Sequence, residues 1–171
     1  MSNSPTDPQD KPASGRDSHS GFTIRLIACR ARALQSILSR GTVLELGCAD
    51  GLLTRELLKS HNRVIAVEGS KQLAESARQE VSQFSSEIVE IVNTPIETFE
   101  PAEGLRFDSV VLACTLEYQD DPSSLLKKCG QWLSERGVVV AIATHSRSVH
   151  RLAGVHTGLI DDLDTPEEDG D

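Results

Sequence analysis

The chain has 171 residues, enough for one domain with a sizeable core and too few for two ordinary domains. Its formal net charge is −9, but residues 161–171 carry seven acidic residues and no basic one, so the remainder is close to neutral. Without a basic stripe, the composition argues against binding to a nucleic-acid backbone. No apolar run reaches roughly 18 residues and the N-terminus lacks an apolar signal region, which predicts a cytoplasmic protein without a membrane span.

Both ends of the chain read as solvated segments. Residues 1–21 are polar and contain Pro, and residues 161–171 are acidic, so we predict disorder in both. The folded domain is then expected over residues 22–160. None of its four cysteines forms a C-x-x-C pair, which favours small buried thiols over a metal site or a disulfide framework; they are Cys29, Cys48, Cys114 and Cys129.

The domain is expected to begin with a leading helix over residues 22–39. Apolar residues recur there at helical spacing and predict one stripe that packs on the main domain. The stripe consists of Ile24, Ile27, Ala28, Ala31, Leu34 and Leu38.

Short β-branched strands and helices then alternate along the chain. The predicted strands cover residues 42–46, 63–67, 88–92, 107–114 and 138–144. Helices are predicted over 52–59, after a Ser70 N-cap, and after Asp121-Pro122, where a capping carboxylate precedes Pro at the first helical position. The last helix has an apolar stripe of Leu125, Leu126, Cys129, Trp132 and Leu133, and Gly137 ends the connection to the fifth strand.

This alternation predicts an α/β fold with an open, doubly wound parallel sheet of about five strands. In such sheets ligands bind outside the carboxyl ends of the strands, at the point where the strand order reverses. The residues that follow each strand are therefore the candidates for function.

The segment after the first strand suggests a ligand with two charges. Glu45 lies near the end of a buried strand, where a charge is costly unless something pairs with it. Gly47 and Gly51 would let the backbone approach a ligand closely, and Asp50 would cap a helix whose N-terminus attracts a carboxylate or phosphate. A ligand with both an ammonium and a carboxylate would satisfy both ends, so an amino-acid moiety fits better than a pyrophosphate.

The residues after the second and third strands suggest further parts of the same ligand. Glu68 follows the second strand, where a carboxylate can accept hydrogen bonds from both hydroxyls of a ribose. Asn93 and Thr94 follow the third strand and could bond the edge of a base, although the same pair is also typical of a turn. Amino acid, ribose and base together describe S-adenosylmethionine.

The stretches "VLELGCADG" at 43–51 and "FDSVVLACTLEYQDDPSSLLKKCGQWLSERGVVVAIAT" at 107–144, with Glu68 between them, resemble the class I S-adenosylmethionine-dependent methyltransferases. The similarity covers about residues 42–152 and is greatest to the small-molecule branch that includes ubiquinone and menaquinone biosynthesis enzymes. It implies a methyl transfer to a small-molecule acceptor. It also implies cofactor contacts from the loop residues Glu45, Gly47, Cys48, Ala49, Asp50 and Gly51, from Glu68 at the ribose, from Asn93, Thr94 and Ile96 at the adenine, and from Ala113 and Cys114.

The chain departs from the family at three places. Ala49 stands where Gly is frequent, and Tyr118 stands where many relatives have His. Only 27 residues follow Thr144, so we expect the chain to be C-terminally short and to lack the usual antiparallel hairpin, either as a five-strand variant or as a truncated product. An open edge at the fifth strand would then predict a homodimer.

The catalytic residues are not indicated by the sequence. His145, His150 and Tyr118 are candidates near strand ends, but each also reads as an ordinary loop or packed residue. Cys48 has no base nearby in sequence and is not proposed as a nucleophile, and no metal site is expected.

Two other functions stay open at this point. The first alternative is a non-catalytic S-adenosylmethionine-binding or truncated module. The second is a nicotinamide-dependent oxidoreductase, which is less favoured because its G-x-G-x-x-G pattern would fall on Gly47, Ala49 and Leu52.

Overall fold

A computed structural model of the protein describes residues 21–38, 40–60 and 63–143. The described helices and strands are α1 (Gly21–Ile37), β1 (Thr42–Leu46), α2 (Leu52–Leu58), β2 (Arg63–Glu68), α3 (Lys71–Glu80), β3 (Val89–Asn93), β4 (Phe107–Ala113), α4 (Pro122–Trp132) and β5 (Leu133–Ile142). Short 3-10 turns cover Ile96–Thr98 and Leu116–Tyr118. Residues 1–20, the acidic tail, His145 and His150 lie outside the described residues, so the predictions made for them stay predictions.

The five strands form one parallel sheet in the order β3-β2-β1-β4-β5. The chain fills one half of the sheet from β1 outward to β3 and then crosses to the other side of β1 with β4. The strand order therefore reverses between β1 and β4. This is the doubly wound α/β fold predicted from the sequence, with its switch point beside the loop after β1.

Alternating residues of each strand face two separate apolar layers. On β1, Val43 packs in a cluster with residues of α1, α2 and α3, whereas Leu44 packs in a cluster with Phe99 and residues of α4. The central strands β1, β2 and β4 are buried on both faces because helices cover both sides, which explains their nearly continuous apolar sequences, whereas the edge strands β3 and β5 are more exposed. Glu45 shares its face with Val43 and is thereby directed toward the layer that contains α2.

Two of the predicted helix starts are confirmed by their caps. The Ser70 hydroxyl accepts a hydrogen bond from the Leu73 N–H at 3.4 Å at the start of α3. The Asp121 carboxylate accepts one from the Ser124 N–H at 2.9 Å at the start of α4. Both caps satisfy backbone donors that a helix N-terminus otherwise leaves unpaired.

Two predicted apolar stripes and one predicted strand differ from the structure. Ile24 of α1 is 52% exposed and Leu126 of α4 is 38% exposed, so neither belongs to the buried stripe. Strand β5 begins at Leu133, whereas the sequence predicted a helical Leu133 and a strand start at 138. The early residues of β5 follow β4 through an irregular register between Phe107 and Ser109, because tertiary packing overrides the helical pattern there.

The side chain of Asp108 connects three strands by hydrogen bonds at the amino-terminal edge of the sheet. One carboxylate oxygen accepts a hydrogen bond from the Thr42 N–H at 2.9 Å, and the other accepts one from the Ser134 hydroxyl at 3.0 Å. A single side chain on β4 thus connects the first residues of β1 and β5. This edge is opposite to the one that carries the candidate site.

Candidate functional site

The loop after β1 is held against the end of β2 by its own backbone. The N–H groups of Gly47 and Cys48 both donate to the Val67 carbonyl oxygen, at 2.9 and 3.1 Å. Gly47 has a φ of +78°, which favours glycine, and a Cβ at this position would lie 2.9 Å from Oγ1 of Thr115. The side of Gly47 on which a Cβ would project therefore faces Thr115. The prediction that the missing Cβ leaves room for a ligand is wrong on that side, because the glycine is required by packing within the chain.

The remaining loop residues lead the chain into α2. Gly51, the N-cap residue, has a φ of +82°, and a Cβ there would lie 2.8 Å from Cα of Ala77 on α3. This glycine is likewise required by packing within the chain. The Asp50 carboxylate accepts a hydrogen bond from the Leu52 N–H at 3.3 Å, but the N-cap residue is Gly51, so the prediction of Asp50 as the cap is wrong by one residue. Ala49 has a left-handed φ of +48°, which accounts for the glycine preference at this position.

Glu45 is 1% exposed and is paired with a hydroxyl. Thr54 on α2 donates from Oγ1 to Oε2 of Glu45 at 2.6 Å. Burial raises the pKa of Glu45 from 4.5 to about 7; the Thr54 hydrogen bond opposes this rise, and the negative charges of Asp50 and Glu68 add to it. Within the described chain, the groups that act on Glu45 are therefore a hydroxyl and two acids.

Glu68 joins three parts of the site. Its Oε2 accepts a hydrogen bond from the Ala49 N–H at 2.9 Å, and its Oε1 accepts one from the Ser70 N–H at 2.8 Å. It therefore links the end of β2 both to the loop after β1 and to the start of α3. An ionised carboxylate offers about four acceptor positions, so two hydrogen bonds leave capacity for further donors.

The residues after β3 are also placed at this edge. Asn93 donates from Nδ2 to the carbonyl oxygens of Glu68 at 2.8 Å and Gly69 at 3.0 Å, so its amide hydrogens are used by the backbone. The Thr94 hydroxyl lies 3.3 Å from that of Thr98. Ile96 Cδ1 would lie 3.6 Å from a Cβ on Gly47, which places Ile96 at the loop after β1.

The end of β4 contributes a residue that sequence analysis missed. Ala113 and Cys114 are partly buried; Cys114 has a left-handed φ of +57°, and its N–H donates to the Ile142 carbonyl oxygen at 2.7 Å. The next residue, Thr115, is buried and donates from Oγ1 to the Leu46 carbonyl oxygen at 2.8 Å. Thr115 thereby joins β4 to β1 at the switch point, and its position directly after a buried strand was the available signal.

The reactive side chains of the described region do not form a nucleophilic centre around Cys48. Burial raises the pKa of the Cys48 thiol, which keeps it protonated and agrees with its exclusion as a nucleophile. Tyr118 is 64% exposed, and the two candidate histidines lie outside the described residues. In the described ranges, no group of three or more His, Cys, Asp or Glu residues is arranged to hold a metal ion.

A depression between α1 and α2 is lined by Ile24, Ile27, Ala28, Leu52, Arg55 and Glu56, and none of these is a predicted cofactor residue. Among the helices that the structure describes, none combines the length and apolar character needed to span a bilayer.

Comparison with known proteins gives named relatives for this arrangement. Over 102 residues the chain is 30% identical to malonyl-(acyl-carrier protein) O-methyltransferase of Halalkalibacterium halodurans, covering 57% of this chain and 37% of that protein. Over 129 residues it is 31% identical to a ubiquinone biosynthesis O-methyltransferase of Bradyrhizobium diazoefficiens, covering 73% and 49%. The structure of coclaurine N-methyltransferase, bound to N-methylheliamine and SAH, superposes with a TM-score of 0.59 at 26% identity, covering 74% of this chain and 38% of that one.

The chain thus spans half or less of the length of these two curated relatives. Its residues 44–139 match the family described as "Methyltransferase domain". The matched region begins in β1 and ends in β5, so it includes the loop after β1, Glu68 and Thr115. Because this match covers more than half of the chain, the protein belongs to the methyltransferase domain family.

Proposed function

We propose that the chain binds S-adenosylmethionine at the carboxyl edge of its sheet and transfers the methyl group to a small-molecule acceptor. The observation that carries this proposal is the position of Glu45 and Glu68. They lie toward the carboxyl ends of the adjacent strands β1 and β2, and the loop that begins at Gly47 is hydrogen-bonded to both the end of β2 and Glu68. This is the edge at which open α/β sheets bind ligands.

The chemistry of the donor set fits this cofactor. S-adenosylmethionine carries an ammonium and a sulfonium, and the charged groups that act on Glu45 are the acids Asp50 and Glu68. The two open acceptor positions of Glu68 suit the two hydroxyls of a ribose. Support also comes from the relatives, since the coclaurine N-methyltransferase structure contains SAH.

Different residues at the carboxyl edge of the sheet would contact different parts of the cofactor. The loop residues Cys48, Ala49 and Asp50 would hold the methionine end, Asn93, Thr94 and Ile96 would lie at the adenine, and Ala113 and Cys114 would line the site. Asn93 uses its amide hydrogens on the backbone, so only its carbonyl oxygen would face the base.

When bound, S-adenosylmethionine supplies a methyl group on a positively charged sulfur, which is already an activated leaving group. The chain would then contribute positioning and the exclusion of water. The name of the ubiquinone biosynthesis O-methyltransferase supports a small organic acceptor for this chain as well, whereas the name of the other relative gives a malonyl group carried on a protein.

Calorimetric titration with S-adenosylhomocysteine tests the cofactor site. We expect Glu68→Gln to weaken binding by about 1–3 kcal/mol, because one acceptor oxygen for the ribose is lost. Glu75→Gln is the matched control, since Glu75 is an exposed acid on α3 that pairs with Arg78. Thermal unfolding without ligand separates a lost contact from a disturbed loop, and equal affinity in the wild type and Glu68→Gln would contradict the assignment.

We also propose a cytoplasmic location and a homodimer through the β5 edge. All four cysteines are free, which is typical of a reducing compartment. Among the described residues β5 is the last strand of the sheet, and its segment 138–142 is apolar. Light scattering on the purified chain tests the dimer, and a monodisperse monomer would contradict it.

A further inference from the structure

The ionisation state of the buried Glu45 carboxyl can respond to the binding of a charged ligand. Its side chain lies under the loop after β1, and its hydrogen bond comes from Thr54 on α2. Thr54 is itself fully buried, so its hydroxyl is fixed in the core beneath the loop. In the described part of the chain the hydrogen-bond donor to this carboxyl is the neutral Thr54 hydroxyl, and a buried carboxyl with such a donor can exist either as the acid or as the anion.

The surroundings of Glu45 oppose its ionisation in the absence of a cation. The titratable groups that act on it are Asp50 at the start of α2 and Glu68 on β2, and the thiol of Cys48 lies in the same buried cluster. All of these are acids, so each can only add negative charge. A cationic ligand group at the loop would reverse this balance and favour the anion.

We propose that binding of the cationic cofactor at the loop after β1 expels a proton from Glu45, and that Thr54 is the positioning residue that sets the pH at which this exchange occurs. The inference rests on the proposed function, since it concerns the same site. It adds a regulation of that site, because cofactor affinity would depend on pH near neutrality.

The direction of the pH dependence follows from which form binds. The pKa of free Glu45 is about 7, so the carboxyl is about half protonated at that pH. Only the ionised form attracts an ammonium by its charge, so the affinity is proportional to the ionised fraction of Glu45 and falls as the pH falls. From about pH 7.5 to about pH 6 this predicts a loss of roughly eightfold in affinity.

Thr54 stabilises the ionised form through its hydrogen bond. Thr54→Val keeps the shape and removes the donor, which raises the pKa of Glu45 and moves the affinity midpoint to higher pH. Thr54→Ser keeps the donor and should leave the midpoint near that of the wild type. A purely structural role of Thr54 would change stability without moving the midpoint.

The test is calorimetric titration of the full chain with S-adenosylhomocysteine between about pH 5.5 and about pH 7.5, repeated in buffers with different ionisation enthalpies. In this range the ligand amine stays protonated, so proton release reports on the protein. We expect the wild type to release about half a proton at a pH near 7. Glu45→Gln should show no such release, and carbon NMR of the Glu45 carboxyl should report its ionisation when the ligand saturates the wild type.

Two results would overturn the inference, and they have different consequences for the proposed function. Binding that is independent of pH, with an unchanged Glu45 carboxyl signal, would reject the proton exchange and leave the cofactor site intact. Absence of binding at every pH in a folded chain would reject the proposed function as well. If Thr54→Val does not fold, the wild-type NMR titration still decides the proton exchange, and the midpoint of Thr54→Ala, which also lacks the donor, decides the role of Thr54.

Discussion

The hydroxyl of Thr115 donates a hydrogen bond to the carbonyl oxygen of Leu46 over 2.8 Å, and this contact joins the carboxyl ends of β4 and β1. It lies at the point where the strand order reverses. The Thr115 hydroxyl oxygen also lies 2.9 Å from the position that a Cβ on Gly47 would take, which is too close for a side chain there. One buried threonine therefore fixes the peptide that precedes the loop of the candidate site.

Replacing Thr115 with Val should lower the free energy of unfolding by about 1–3 kcal/mol, because a buried hydrogen bond is lost at nearly constant volume. Thr115→Ser retains the hydroxyl and is the matched variant. Denaturant unfolding of both proteins measures the difference. Equal stability of the Val variant and the wild type would show that the hydrogen bond does not contribute.

Glu45 should make the stability of the chain depend on pH. Its pKa is raised on folding from 4.5 to about 7, so the protonated group favours the folded state. Its contribution is fully present below the unfolded pKa and is lost as the pH rises through the folded pKa. Across this window the loss is about 3 kcal/mol.

Glu45→Gln should remove this decline, since the amide does not ionise. Unfolding free energies of both proteins, measured from about pH 4.5 to about pH 8, should diverge with the wild type becoming the less stable one at high pH. Parallel curves for the two proteins would mean that Glu45 titrates at its ordinary value.

Gly51→Ala should destabilise the chain strongly. A left-handed φ costs a non-glycine residue about 1–2 kcal/mol, and the new methyl group would meet the backbone of Ala77, which cannot move away like a flexible side chain. Gly104→Ala is the matched control, because Gly104 also has a positive φ but has no atom within 4 Å of its Cβ position. Thermal unfolding should show the larger loss for Gly51→Ala, and equal losses would exclude the contact with α3.

Phe99 should be one of the anchors of the segment after β3. Its ring meets that of Trp132 on α4 edge to face, with 5.6 Å between centroids, and its side chain is buried. Phe99→Ala should therefore cost about 3–5 kcal/mol in unfolding free energy. Tyr118→Ala, at a largely exposed ring, should change stability by less than about 0.5 kcal/mol, and a similar effect of both substitutions would contradict this account.

The features predicted well from the sequence are those with local causes. Ser70 and Asp121 cap their helices with N–H groups three residues ahead, so a short stretch of sequence contains both partners. The parallel sheet was predictable because strand and helix periodicities alternate along the chain. The family was predictable because its motifs stand in the loop after β1 and at Glu68.

The features that were missed depend on contacts between distant segments. The pairing of Glu45 with Thr54 requires knowing which face of α2 meets β1, and Thr115 meets Leu46 across a sequence separation of 69 residues. Leu133 stands four residues after Cys129, which is a helical spacing, but it lies in β5 and pairs with Phe107 of β4. Such choices are made by packing and are not visible in local periodicity.

Asp108 places a side-chain connection of β1, β4 and β5 at one end of the strands, while the candidate site occupies the other end. The buried strands β1 and β4 separate the two ends. Residues around Asp108 can therefore be exchanged to change the lifetime of the folded chain without altering the loops that meet a ligand. A library that varies the loops can accordingly be built on a version of the chain reinforced at the opposite end.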